Sequence, residues 1–326
     1  MQYLAKIRLG TVVVAATAAS AAAALVFGPF FAPVFAQLSS QLSGQVSRGA
    51  ASRSPGQSSG DVKSQEHAIV LEAKPSQPVT LDAREIMSQS VAATERSWQA
   101  RDQFTYTELD EDKRLDSQGQ VKSENIDFTK MILVNGARFD QLVQHNGQAP
   151  SPGEQRQINE NLEKLKHETP AEQAARLGKD QENRAFLEDI LAGFDFQVVG
   201  DDVVDGRPSF VIEVSPHPGF RASGKYAKVF NKVEGKIWVD KQDYGWIKLD
   251  GEITQPFSMG LFIARVQSGS RVVLEQTCVG DAVWVPKRLE VQGTATIFFF
   301  KTLGIDRILT YSDYFRETDG PHSVSR

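Results

Sequence analysis

The chain has 326 residues, enough for one large or two small domains, and 36 basic against 41 acidic side chains leave it at −5. No long basic run occurs, which argues against a nucleic-acid-binding surface. A single cysteine, Cys278, excludes an intramolecular disulfide framework and any multi-cysteine metal site, and five scattered histidines argue against most metalloenzymes.

Lys6 and Arg8 precede an apolar stretch from Leu9 to Phe27 that Gly28-Pro29 breaks. Val34-Phe35-Ala36 then supplies the small-residue pattern of a cleavable export signal. Residues 1–36 are therefore expected to be a signal peptide that delivers the rest to the periplasm. The alternative is an uncleaved inner-membrane anchor, since an apolar run of roughly 19 residues can span a bilayer. Residues 37–80 are rich in Ser, Gln and Gly and read as a disordered linker. Ala68-Ile69-Val70-Leu71 could add one edge strand.

The folded domain is expected over 81–316, with 317–326 a disordered tail. Leu81 to Ala100 reads as a helix with Ile86, Val91 and Ala92 on its packed face. From Phe104 the period switches to two: Phe104, Tyr106 and Glu108 alternate with Thr105, Thr107 and Leu109. Turns at Asp116–Gly119, Asn135-Gly136 and Asn146-Gly147 punctuate a three-stranded meander. Residues 150–192 break the strand pattern. Ile158, Leu162 and Leu165 keep helical spacing, and Thr169-Pro170-Ala171-Glu172 is a capping box for a second helix running to about Leu191. Phe186, Ile190 and Leu191 are its expected buried stripe. This insertion reads as a surface helical hairpin or as a lid or partner surface.

Strands then resume. Phe194, Phe196 and Val198 share one face, and beyond the Asp205-Gly206 turn Phe210, Ile212 and Val214 alternate with Val211, Glu213 and Ser215. Hairpins follow around Lys241–Tyr244 and Gly280-Asp281, and Thr294–Phe300 with Ile305–Phe315 are expected to close the domain. Ten or eleven strands make the class α+β, mainly antiparallel β: a large curled sheet, an open half-barrel, covered by helices.

No catalytic centre is legible. Asp110-Glu111-Asp112 with Asp116 lacks the glycine and terminal glutamate of a calcium loop, and His145, His167 and His217 lack ligand spacing. Nucleophile-elbow and phosphate-loop patterns are missing. The expectation is a non-enzyme with no metal and no cofactor. Two apolar segments carry more information. Phe257 to Ala264 follows Pro256 between strands and reads as a helical turn packed on the core, or as a mobile lip at a cavity or a membrane-touching loop. Ile297-Phe298-Phe299-Phe300 puts aromatic rings on both faces of a strand, as a buried strand or as a cavity wall.

Trp98 through Phe104-Thr105-Tyr106-Thr107-Glu108, then Val134-Asn135-Gly136, Val204-Asp205-Gly206-Arg207-Pro208 and Phe210-Val211-Ile212-Glu213 occur in that order. Ser215-Pro216-His217-Pro218-Gly219, Leu274-Glu275-Gln276 and Val285-Pro286-Lys287-Arg288-Leu289 complete the series. Together they resemble the outer-membrane lipoprotein-sorting proteins of the LolA and LolB type and the related RseB/MucB-type sensor domain, over most of Leu81 to Phe315. The resemblance implies a half-barrel with an apolar cleft and a periplasmic carrier of lipid or of an acylated lipoprotein. Phe194, Phe196, Phe210, Ile212, Phe257, Leu261, Phe262, Phe298 and Phe300 are the cavity candidates. The alternative is an envelope sensor or interaction protein that binds a membrane-protein partner through the insertion, without transporting lipid.

Overall fold

The computed structural model describes residues 82–184, 186–221, 227–259, 264–297 and 301–316. The expected export signal, the linker with Ala68–Leu71, the tail, and Leu261, Phe262, Phe298 and Phe300 lie outside the described residues. Among those described, no helix is long and apolar enough to cross a membrane.

Helix α1 (Ala83–Arg101) starts where the Asp82 side chain accepts from the Arg84 N–H. Strands β1 (Phe104–Leu115), β2 (Val121–Val134) and β3 (Ala137–His145) form the expected meander. Asn135 and Gly136 both sit at positive φ, 52° and 73°, as a two-residue hairpin turn requires. The insertion holds α2 (Pro152–Lys166), α3 (Pro170–Arg184) and α4 (Phe186–Gly193), the last two being the described stretches of the expected second helix on either side of residue 185, which lies outside the described residues. Ser151 and Glu154 form a complete capping box at the start of α2.

Strands β4 (Phe194–Val204) and β5 (Arg207–Pro216) form a hairpin, and the one-turn helix α5 (Ala227–Phe230) leads to β6 (Val233–Asp240) and β7 (Trp246–Ile253). The short strands β8 (Phe257–Met259) and β9 (Ala264–Val266) pair with each other, and β9 also pairs with the strand that follows β10. The segment expected to be a helical turn is thus a small hairpin hydrogen-bonded onto the sheet. Strands β10 (Arg271–Val279), β11 (Val283–Ile297) and β12 (Lys301–Arg316) finish the domain. β11 is one long strand, where the sequence suggested a break near Gly293.

Among the described residues the sheet has twelve strands, more than the ten or eleven expected, in the order β3-β2-β1-β12-β11-β10-β7-β6-β5-β4, with β8 and β9 off this path. All its pairings are antiparallel, and its edges, β3 and β4, do not meet. β12 pairs with both β1 and β11, so the end of the domain joins the early meander to the later strands.

The apolar core lies on one face of this sheet, under α1 and α4. Ile86, Met87 and Trp98 of α1, and Leu187 and Ile190 of α4, pack with Ile212, Leu249, Leu274 and Leu289. Ala92, expected on the packed face, is exposed, and Val91 is only half-buried. The buried stripe of α1 includes Ser90, Ala93, Thr94 and Ser97 instead. Small side chains let the helix approach the sheet closely. Ser97 Oγ accepts the Trp284 N–H at 3.1 Å, and Arg84 Nη1 donates to the Leu191 carbonyl at 2.7 Å, tying α1 to β11 and α4.

Candidate functional site

Cross-strand pairing places one residue per strand in a row across the covered face. From β5 the row reads Ile212, Ile237, Leu249, Leu274, Leu289 and Leu309. At the next strand it becomes Asp110, then Asp127 and His145. This row is therefore apolar from β5 to β12 and charged from β1 to β3, while Tyr106 and Met131, further along β1 and β2 on the same face, remain in the apolar core. Directly opposed residues share a face, so this change of character is fixed by register.

The predicted cavity residues divide accordingly. Phe194, Ile212 and Phe257 are brought together in the main core, with Ile212 wholly buried. Phe194 packs against Phe230 at 5.2 Å between ring centroids. Phe196 and Phe210 are half-buried at the margin of the same cluster, Phe210 beneath Lys241 Nζ at 4.8 Å from its centroid. Val198, on the expected face of β4, is largely exposed near a register shift at the edge strand. Cys278 is half-buried, and burial pushes its thiol above the ordinary range.

The charged half holds a tight seam along β1 and β12. Arg307 grips Asp110 with two donors, Nε lying 2.7 Å from Oδ1. Burial alone would pull Arg307 down, but Asp110, Asp112 and Glu108 hold it above its ordinary value. Glu108 lies opposite Tyr311, is 4% exposed, and has an Oε2 with no hydrogen-bond partner among the described residues. Burial, then Asp110 and Asp140, push its carboxyl up to about 8. Further along β1, Arg114 Nη2 donates to Asp112 at 2.5 Å.

Where α1 ends, Arg101 and Arg138 line a small cavity of about 10 Å3 with Phe104, Tyr106 and Tyr314. Val285 and Pro286 complete its wall. Arg138 donates to the Tyr106 hydroxyl at 2.8 Å, and the Tyr314 hydroxyl donates to the Pro286 carbonyl at 2.6 Å. Neither arginine stood out in the sequence. The available signal was spacing: Arg101 continues the α1 stripe three residues after Trp98, and Arg138 follows the strongest hairpin turn.

His145, His167 and His217 each face one acid, Asp127, Glu163 and Asp195 respectively, at separate places. Among the described residues no cluster of three or more metal-ligating side chains occurs.

The chain matches no family model and no curated protein. Solved structures do match. A LolA superfamily protein from Nitrosomonas europaea is 11% identical over 72% of this chain and 93% of its own, with a TM-score of 0.28. An outer-membrane lipoprotein-sorting protein domain from Vibrio parahaemolyticus is 13% identical over 73% and 95%, with a TM-score of 0.24. The Pseudomonas aeruginosa MucA/MucB complex matches at 10% identity over 71% and 94%, with a TM-score of 0.20. These are the groups that the sequence resembles. At TM-scores this low the likeness adds no weight to any function.

Proposed function

We propose that the chain is a periplasmic lipid-binding protein that takes an acyl chain, free or on a lipoprotein, along the apolar row of its unclosed sheet, in the manner of a carrier in outer-membrane lipoprotein sorting. The observation that carries this reading is the pairing of that row, Ile212 to Leu309, with a cover helix whose buried stripe is largely Ala, Ser and Thr. Each small polar residue in place of a leucine forgoes roughly 1.5–3 kcal/mol of burial. Helix α1 is thus a close-fitting but weakly held cover, which an acyl chain can displace. A sixteen-carbon chain gains roughly 12 kcal/mol gross at about 0.8 kcal/mol per CH₂, before ordering and association costs. The order of motifs shared with the sorting proteins supports the same reading.

Native mass spectrometry of the full chain from its own envelope, beside an organic extract, tests it. Bound phospholipid or acylated peptide is the expected result. An apo mass together with no uptake of a fluorescent fatty acid would overturn it.

The insertion favours a second reading. Helix α2 buries no residue completely, and Leu177 of α3 is 54% exposed. A membrane-protein partner docking there would make the chain a sensor. Deleting 150–192 then abolishes partner capture and leaves acyl uptake unchanged.

A further inference from the structure

Arg101 is the last residue of α1 and is 6% exposed. Its guanidinium stacks over Trp98, 5.5 Å from the ring centroid. Its Nε has no partner, and among the described residues it donates no hydrogen bond and meets no carboxylate at ion-pair distance. Across the cavity, Arg138 ion-pairs with Asp102 at 3.8 Å, and burial, which would lower Arg138, is outweighed by Tyr106, Asp140 and Asp102, which hold it above its ordinary value. Two guanidinium groups therefore line one cavity that no acidic side chain lines. Burial and the nearby Arg138 lower Arg101 to about 9, so it remains charged at neutral pH.

An unpaired buried charge is costly, and natural interiors pair such groups. Asp102 acts on Arg101 from a distance, but no acid among the described residues bonds its guanidinium. The shape of a partner follows from the cavity. About 10 Å3 is room for one water-sized group, which suits the leading oxygen of a planar carboxylate better than the three equatorial oxygens of a phosphate. A guanidinium fork matches a carboxylate edge. Phe104, Tyr106 and Tyr314 are walls of this same space and leave it no room for the acid's carbon chain.

We propose that Arg101 and Arg138 form a binding site for an organic monocarboxylate, whose leading oxygen enters the cavity between the two guanidinium groups while its carbon chain stays outside. The site does not depend on the sheet's apolar row taking an acyl chain. A short-chain acid and the head of a free fatty acid share this chemistry, and the test separates them.

Calorimetric titration of the purified full chain uses sodium acetate, sodium octanoate and inorganic phosphate at one ionic strength. Thermal unfolding is followed in parallel. Both carboxylates are expected to bind and raise Tm, octanoate more tightly if the source is a fatty acid and equally if it is a short-chain acid, with phosphate at least tenfold weaker. Arg101→Met should weaken carboxylate binding at least tenfold while the ligand-free Tm stays level or rises, because an unpaired charge has been removed. Arg101→Lys keeps the charge, loses the fork and should bind several-fold more weakly. Phosphate binding as tightly as octanoate would overturn the proposal, as would no carboxylate binding at millimolar concentration. Octanoate binding that is unchanged in Arg101→Met and in Arg138→Met would also overturn it, while leaving acyl binding on the sheet intact.

Discussion

Glu108 and Arg307 are opposite cases of burial. The Glu108 carboxyl, ordinarily near 4.5, is held up to about 8 chiefly by desolvation. Between those two values the folded protein keeps a proton that the unfolded chain has released. Stability from this group is therefore fully present below about pH 4.5 and falls as pH rises through the window to about 8. The loss across the window is on the order of 5 kcal/mol. Glu108→Gln removes it, so the variant's Tm should decline less than the parent's between pH 5 and 8. Parallel declines in the two proteins would show that Glu108 titrates normally. Arg307, by contrast, is compensated. Arg307→Met strands Asp110, whose side chain is 14% exposed, beside Glu108. A loss of about 3–5 kcal/mol in urea unfolding is expected, and a change under about 1 kcal/mol would place the pair in effective solvent contact.

At the scale of elements, turn chemistry made the meander legible. Asn135-Gly136 and Asp205-Gly206 both adopt the paired positive φ that their residue types favour. Cover geometry was harder to read, because α1 packs through Ser90, Thr94 and Ser97, which look like solvent-facing positions in a hydropathy pattern. The β8–β9 hairpin was hidden for a related reason: an apolar run of a few residues has no period that separates a helical turn from a strand. Of the cavity candidates, Phe194, Ile212 and Phe257 lie in the buried core, where strand alternation marked Phe194 and Ile212 as apolar positions but gave no period for Phe257. Arg101 and Arg138 escaped notice because a lone charge reads as solvated until a fold buries it. Close packing between strands gives a further prediction. Gly235 opposes Gly251, and a Cβ at Gly235 would lie 2.1 Å from the Asp250 carbonyl oxygen. That contact is backbone and cannot rotate away. Gly235→Ala should cost roughly 3 kcal/mol, measured by urea unfolding, and a neutral result would mean that β6 and β7 separate more readily than their register implies.

For the whole molecule, the decisive property is how unevenly its stability is distributed. Strands β10, β11 and β12 each have a partner on both sides, and their residues Leu274, Leu289 and Leu309 are almost wholly buried. Helix α1 is held instead by Ile86, Met87 and Trp98, a set of small side chains, and a few hydrogen bonds such as Ser97 to Trp284. Opening α1 alone exposes its narrow apolar stripe and leaves every strand pairing in place. Unfolding the centre of the sheet breaks two ladders at once. Amide hydrogen exchange should therefore find Ala83–Arg101 opening at a free energy well below that of β10 and β11. Ser90→Leu would not remedy this, because Ser90 is wholly buried and has no space for the larger chain. Ser97→Ala, which deletes the acceptor of the Trp284 N–H, should lower α1 protection by about 1–2 kcal/mol and leave β10 unchanged. An acyl ligand that displaces the cover should loosen α1 while it protects the apolar row, whereas a ligand confined to the Arg101 cavity should protect the last turn of α1. If α1 and β11 instead exchange together at one free energy, the cover is an inseparable part of the core, and acyl entry along the row is closed.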